Sequence, residues 1–169
     1  PKSHTSMRNA LVFFAVLISD QITQIVVREN IALGETIEVI PNFFNLTLVY
    51  NPGAAFGIFA NLPDTQRHIA LGVVLALALY VVWHFLKNEA KDDPVAQVTL
   101  FAILGGAFGN IIDRFFYDAV IDFLDVYIGS YHWPAFNIAD SAISVGVCFL
   151  LLRMLFFSKK ESQKAEKTS

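Results

Sequence analysis

Four short stretches of this sequence hold polar side chains at spacings that could build one chemical site. Asp20 and Gln24 are four residues apart. Asn110, Asp113 and Arg114 follow the same three-and-four spacing, and Asn137 and Asp140 are three apart. On a helix each of these sets shares a face. Asp122 and Asp125 lie between the last two sets, in "AVIDFLDV". The recurring group is the carboxylate. Two carboxylates in one partly desolvated site cannot both ionise cheaply, so one keeps a proton. Such a pair can activate water while protonating a carbonyl.

Competing chemistries find little support. His4, His68, His84 and His132 are scattered, and no Ser-His-Asp set is legible. No Cys or His grouping has metal-ligand spacing. "GGAFGN" lies within an apolar run, where small residues let helices approach closely, so it is not read as a phosphate-cradling loop. Cys148, the single cysteine, also sits in an apolar run and reads as a packed thiol. Blander roles for the polar residues stay open. Asn137 is a good helix cap, with Asp140 favouring the helix dipole. Asp113 with Arg114 can be an interfacial ion pair, Asp20 can bond a neighbouring helix, and Asp122 can be a solvated strand or helix position.

The elements that must carry these residues are unusually apolar. Of 169 residues, 55% are hydrophobic and 16% charged, against about 25% charged in soluble domains. Mean hydropathy is +0.53. Four segments approach the roughly 20 residues that a spanning helix needs: about 9–27, 69–86, 95–113 and 136–157. The first is expected to be retained, since it lacks a clear small-x-small cleavage site. "NFFNLTLVYN" alternates, with Phe44, Leu46, Leu48 and Tyr50 on one face and Asn45, Thr47, Val49 and Asn51 on the other. That is a strand signal, and a small β region over about 35–60 is expected outside the membrane. Residues 1–157 read as one membrane domain, and 158–169 as a polar, disordered tail.

Lys and Arg set the expected orientation. Lys2 and Arg8 precede the first helix, Lys87 and Lys91 lie in the second connection, and Lys159, Lys160, Lys164 and Lys167 fill the tail. Both termini and the 87–94 loop are therefore expected in the cytoplasm, with 28–68 and 113–135 outside. Threaded this way, every costly polar residue falls near the outer surface. Ionisable residues inside a bundle are functional candidates by default. A transporter would instead place them near the midplane.

In order, "DQITQ", "NPGAAFG", "GGAFGNIIDR", "AVIDFLDV" and "WPAFNIADSAI" resemble the motif blocks of the bacterial lipoprotein signal peptidases, signal peptidase II. The resemblance spans about Asp20 to Ser144. It implies an all-α membrane protein of four transmembrane helices with a small periplasmic β-sheet cradle. It implies an aspartyl endopeptidase of the inner membrane that cleaves prolipoproteins before a diacylglyceryl-modified cysteine. By motif, the catalytic dyad falls on Asp122 and Asp140. Asp20, Gln24, Asn51, Gly53, Gly106, Asn110, Asp113, Arg114, Asn137 and Ala139 fall at positions that orient the dyad or hold substrate. The family has Lys where this chain has Gln24. No metal or cofactor is implied. The expected partners are lipid-modified prolipoproteins and membrane lipids, with no nucleic acid, and the chain is expected to be a monomer. A non-catalytic lipoprotein-binding or transporter-like protein is the alternative.

Overall fold

In the computed structural model the backbone is described for residues 2–54 and 57–166, and side-chain surroundings for residues 6–54 and 57–155. Helices α1 (Lys2–Asn30), α2 (Asp64–Asn88), α3 (Pro94–Tyr117) and α4 (Ile138–Glu166) form a bundle. Each holds a stretch long and apolar enough to cross a membrane. Strands β1 (Thr36–Ile40), β2 (Phe44–Asn51), β3 (Val120–Ile128) and β4 (Tyr131–His132) form an antiparallel sheet in that order.

Local chemistry sets the helix ends. Asp93 caps α3 by accepting the N–H groups of Val95 and Ala96, both at 3.1 Å, with Pro94 in the first turn. At the other end Asp118 takes a left-handed conformation, φ 56°, and turns the chain into β3. Asn137 caps α4, its Oδ1 accepting the Asp140 N–H at 2.8 Å.

Small residues bring α3 against its neighbours. A Cβ on Gly105 would lie 2.5 Å from the Phe13 carbonyl oxygen of α1, and one on Gly106 would lie 2.6 Å from the Ala139 oxygen of α4. The apolar run "GGAFGN" is thus a packing surface. Leu11, Phe14, Val73, Leu77, Val145 and Leu155 all point outward and exposed, as lipid-facing side chains do. At the sheet end, Val27 of α1 and Ile31 just beyond it pack with Leu48, Ile121 and Phe123. At the opposite end Arg153 grips Asp93 at 2.7 and 2.9 Å.

The four helices and the small sheet were expected, and the structural details differ in five ways. Cys148, expected as a packed thiol, is exposed on α4. The helices are longer than the apolar runs, because polar turns at their ends continue the backbone hydrogen bonding. Helix α4 continues to Glu166, through most of the stretch expected as a disordered tail. The sheet is not confined to 35–60: β3 and β4 come from the connection before α4, with β3 pairing β2 and β4 pairing β3. The β2 face pattern also differs. A register shift between Leu46 and Val49 breaks the alternation, leaving Leu48 buried beside Asn45 and Thr47 while Val49 and Tyr50 are exposed. The buried polar pair is satisfied: Asn45 donates to Asp125 at 2.8 Å and Thr47 to the Glu35 oxygen at 2.9 Å. In "NPGAAFG", Ala55 and Phe56 lie outside the described residues.

The sheet and the polar ends of α1, α3 and α4 share one end of the bundle, and the 87–94 connection lies at the other. Orientation from Lys and Arg then makes a clear prediction. In a Cys148→Ser background, a cysteine at His132 should react with an impermeant thiol reagent from outside the cell, and one at Lys91 only after permeabilisation. The reverse pattern would invert the orientation.

Candidate active site

The start of α4 is fixed by one side chain. Asn137 is fully buried. Its Nδ2 lies 3.1 Å from Asn110 Oδ1, 3.2 Å from the Ile121 oxygen and 3.2 Å from Asp122 Oδ1. Asn137 is therefore both the helix cap that its spacing suggested and the bridge from α4 to α3 and β3. Asn110 completes the ring by donating its Nδ2 to Asp140 Oδ1 at 2.8 Å.

Asp122 reaches this ring from the sheet. On β3 it pairs in register with Val49, within the run Val120–Phe123 that is buried throughout. Its Oδ2 accepts Asn51 Nδ2 at 3.2 Å. The same Asn51 amide lies 3.3 Å from the Ala54 oxygen, and Asn51 Oδ1 accepts the Gly53 N–H at 3.0 Å. Gly53 in turn receives Arg114 through its carbonyl, at 2.8 Å, while Arg114 also donates to the Asn110 oxygen at 3.0 Å. Asn51, Gly53, Asn110 and Arg114 thus surround Asp122 and Asp140 from three elements.

Asp20 and Asp113 lie one layer behind, both fully buried. Asp20 Oδ1 accepts the Ala139 N–H at 2.9 Å, so a carboxylate on α1 holds the first turn of α4. Asp113 Oδ2 accepts the Ile121 N–H at 3.2 Å, which ties α3 to β3. Gln24 donates to Asp20 Oδ2 at 3.0 Å. Gln21, which sequence reasoning passed over, donates to Asp113 Oδ1 at 2.9 Å. Its signal was present, a second glutamine within "DQITQ". Asp113 has its partners on α1 and β3, and no Asp113–Arg114 ion pair is found among the described residues.

A cleft of about 690 Å³ opens beside this cluster, lined by α2, α3 and α4, with Asn51, Arg114 and Asp140 at its polar end. Asp122 does not line it and is 2% exposed, covered by Asn51. Asp125 stays apart from the cluster, bonded to Asn45 and to His132 at 2.8 Å. His68, also missed from sequence, lies at the cleft and meets Asp118 at 2.7 Å. Neither contact is visible in a linear sequence, because each histidine's partner sits on a different element or across a turn.

Burial, reinforced by the nearby Asp140 charge, pushes the Asp122 carboxyl up from 3.8 to about 8. Folded Asp122 thus keeps its proton across a range where the unfolded chain has lost it. The native state binds more protons there, so this residue makes stability fall as pH rises from about 4 to about 8. Asp122→Asn removes that dependence. Its melting temperature in detergent should gain on the parent progressively through this window and run parallel above it. Parallel curves throughout would show that Asp122 ionises normally.

Comparison with known proteins agrees with this architecture. Residues 12–156 match the family described as Signal peptidase (SPase) II. A lipoprotein signal peptidase of Syntrophus aciditrophicus is 43% identical over 161 residues, covering 92% of this chain and all of the relative. The lipoprotein signal peptidase of Burkholderia thailandensis is 47% identical over 138 residues, 80% of each chain. A solved structure, titled a bacterial membrane enzyme structure by the in meso method at 2.3 Å resolution, superposes with a TM-score of 0.78. It shares 32% identity over 90% of both chains. A second structure of the same description at 1.9 Å gives a TM-score of 0.75 at 33% identity, covering 87% of this chain and 92% of that one. Four helices long and apolar enough to cross a membrane, a small sheet meeting the bundle at a carboxylate cluster, and matches over most of the sequence lead to one conclusion: this chain belongs to the signal peptidase II family, the lipoprotein signal peptidases.

Proposed function

We propose that this peptidase is an aspartyl endopeptidase of the bacterial cytoplasmic membrane. It cuts lipid-modified prolipoproteins before the diacylglyceryl cysteine, with Asp122 and Asp140 as its catalytic pair. The observation that carries this is the convergence of both carboxylates on the bonded Asn110–Asn137 amide pair, Asp122 on Asn137 and Asp140 on Asn110, at one end of a membrane bundle and beside an apolar cleft. The orientation by Lys and Arg puts that end at the outer face. Acyl chains of the substrate then stay in the outer leaflet, and the signal helix lies along the bundle.

Asp122 is the proton donor, since it holds its proton to about pH 8. Asp140, at the cleft, is the base. A water between them gives a proton to Asp140 as its oxygen bonds to the scissile carbon. Asp122 transfers its proton to the carbonyl oxygen. When the tetrahedral intermediate collapses, the C–N bond breaks. The proton on Asp140 goes to the leaving amine, and a hydroxyl of the intermediate returns a proton to Asp122. Asn110 and Asn137 keep the two carboxyls in place, and the Arg114 charge lies within electrostatic reach of both. Asn51 must swing from Asp122 as substrate enters.

Asp122→Asn and Asp140→Asn should each leave the helical content intact and lower kcat on a lipidated prolipoprotein peptide by about 10³-fold or more, the scale of losing an essential acid or base. In the parent, kcat should decline above about pH 8, where Asp122 loses its proton. Retained turnover in either variant would remove the pair from the mechanism.

Gln24 decides a second question. An unpaired Asp20 would call for the Lys that the family has at this position. Here Asp20 already accepts from Gln24, Gln21 and Ala139. Neutral amides satisfy what a cation would otherwise balance. Gln24→Lys should therefore leave kcat/KM within about threefold of the parent, well under the roughly tenfold that 1.4 kcal/mol would give. A tenfold gain would show that the amides leave Asp20 undersupported.

A further inference from the structure

Helix α2 is attached unlike the other three. None of its membrane-spanning window is buried, and Arg67 is its only buried residue among those described. Its inner end is seated: Val82, Phe85 and Leu86 pack on Ala96, Leu100 and Leu150. Its middle, with Leu71, Leu75 and Ala78, faces the cleft instead of another helix. Among the described residues, its outer end is held by side-chain contacts to one residue of the neighbouring corner, Asp118. His68 Nε2 lies 2.7 Å from Asp118 Oδ1, and Arg67 reaches Asp118 Oδ2 at 3.4 Å while pairing with Asp64 at 2.9 Å. Asp118 is the left-handed residue that turns α3 into β3, four positions before Asp122.

The place of α2 along the cleft gives this contact a consequence. Leu71, Leu75 and Ala78 of α2 form one wall of the cleft, so the distance of α2 from α3 and α4 sets the cleft's width. α2 is the wall with the least packing to lose, and its outer end is closed by an exposed pair, His68 at 54% and Asp118 at 62%. Exposed ion pairs are weak, as a contact that opens and re-forms must be.

Building on the peptidase reading above, we infer that the Asp118 clasp on Arg67 and His68 is a latch. It positions α2 over the cleft and sets how tightly a membrane-embedded lipopeptide is held there. Asp118 is a positioning residue. It acts through α2, and the bond-breaking step does not involve it.

Two measurements on the full chain in lipid nanodiscs test this, both in a Cys148→Ser background. Spin labels at Val73 on α2 and Phe115 on α3, both exposed, report the position of α2. The parent should give one narrow distance distribution. Asp118→Ala should broaden it and shift it outward, and Asp118→Glu should recover most of the parent distribution. On a lipidated prolipoprotein peptide, Asp118→Ala should raise KM about fivefold or more with kcat within about twofold, the split expected for lost holding without lost chemistry. Unchanged distances in Asp118→Ala, or a loss confined to kcat, would overturn the latch. If the parent cleaved no lipopeptide, the peptidase reading would fail, and the spin-label distances would still decide whether Asp118 holds α2.

Discussion

One amide, that of Asn137, is the interaction on which the rest of this site depends. Its oxygen caps α4 and its nitrogen lies between Asn110 on α3 and Ile121 and Asp122 on β3. Helices α3 and α4 and strand β3 meet at a side chain with no exposed surface. Leaving such a buried group unpaired costs about 1–3 kcal/mol, so the amide fixes the relative placement of α3, α4 and the sheet. Because the Asp122 carboxyl bonds this amide and the Asp140 carboxyl bonds its partner Asn110, that placement is also the geometry of the carboxylate pair.

Holding several acids inside a membrane protein imposes the remaining features. Every buried carboxylate needs donors, and the chain supplies them from backbone N–H groups and amides. Ala139 and Gln24 serve Asp20, and Gln21 and Ile121 serve Asp113. These contacts require the helices to approach closely, which is the role of the glycines on α3. A Cβ at Gly109 would come within 2.5 Å of Asp20 Oδ2. Small residues and buried acids are therefore one design. Neither works alone, since wider helix spacing would leave Asp20 unable to reach the start of α4.

Much of this was legible in the sequence because bilayers make polarity expensive. Asp20, Asn110, Asp113, Asn137 and Asp140 stood out against apolar runs, and their helical spacing put them on shared faces. The small sheet was half legible. Alternation marked β2, but its register shift and the burial of Asn45 and Thr47 depend on β3, whose contribution is a tertiary pairing. Likewise Asp125 resembled Asp122 in sequence, three residues away on the same short run. Only the fold separates them, by giving Asp125 to Asn45 and His132 and Asp122 to Asn51 and Asn137. The clasp at Asp118 left no sequence signal at all, since an Asp beside a helix end is ordinary until the opposing helix is in place.

The central claim is that Asp122, buried, and Asp140, at the cleft, form one carboxyl pair with a proton held on Asp122. Carbon-13 NMR of labelled aspartate carboxyls, titrated in the parent and in Asp140→Asn, measures this directly. The account predicts an Asp122 midpoint near about 8 that falls when the Asp140 charge is removed, while burial keeps it above the ordinary carboxylate range. A midpoint near 3.8, or one unmoved by Asp140→Asn, would contradict it.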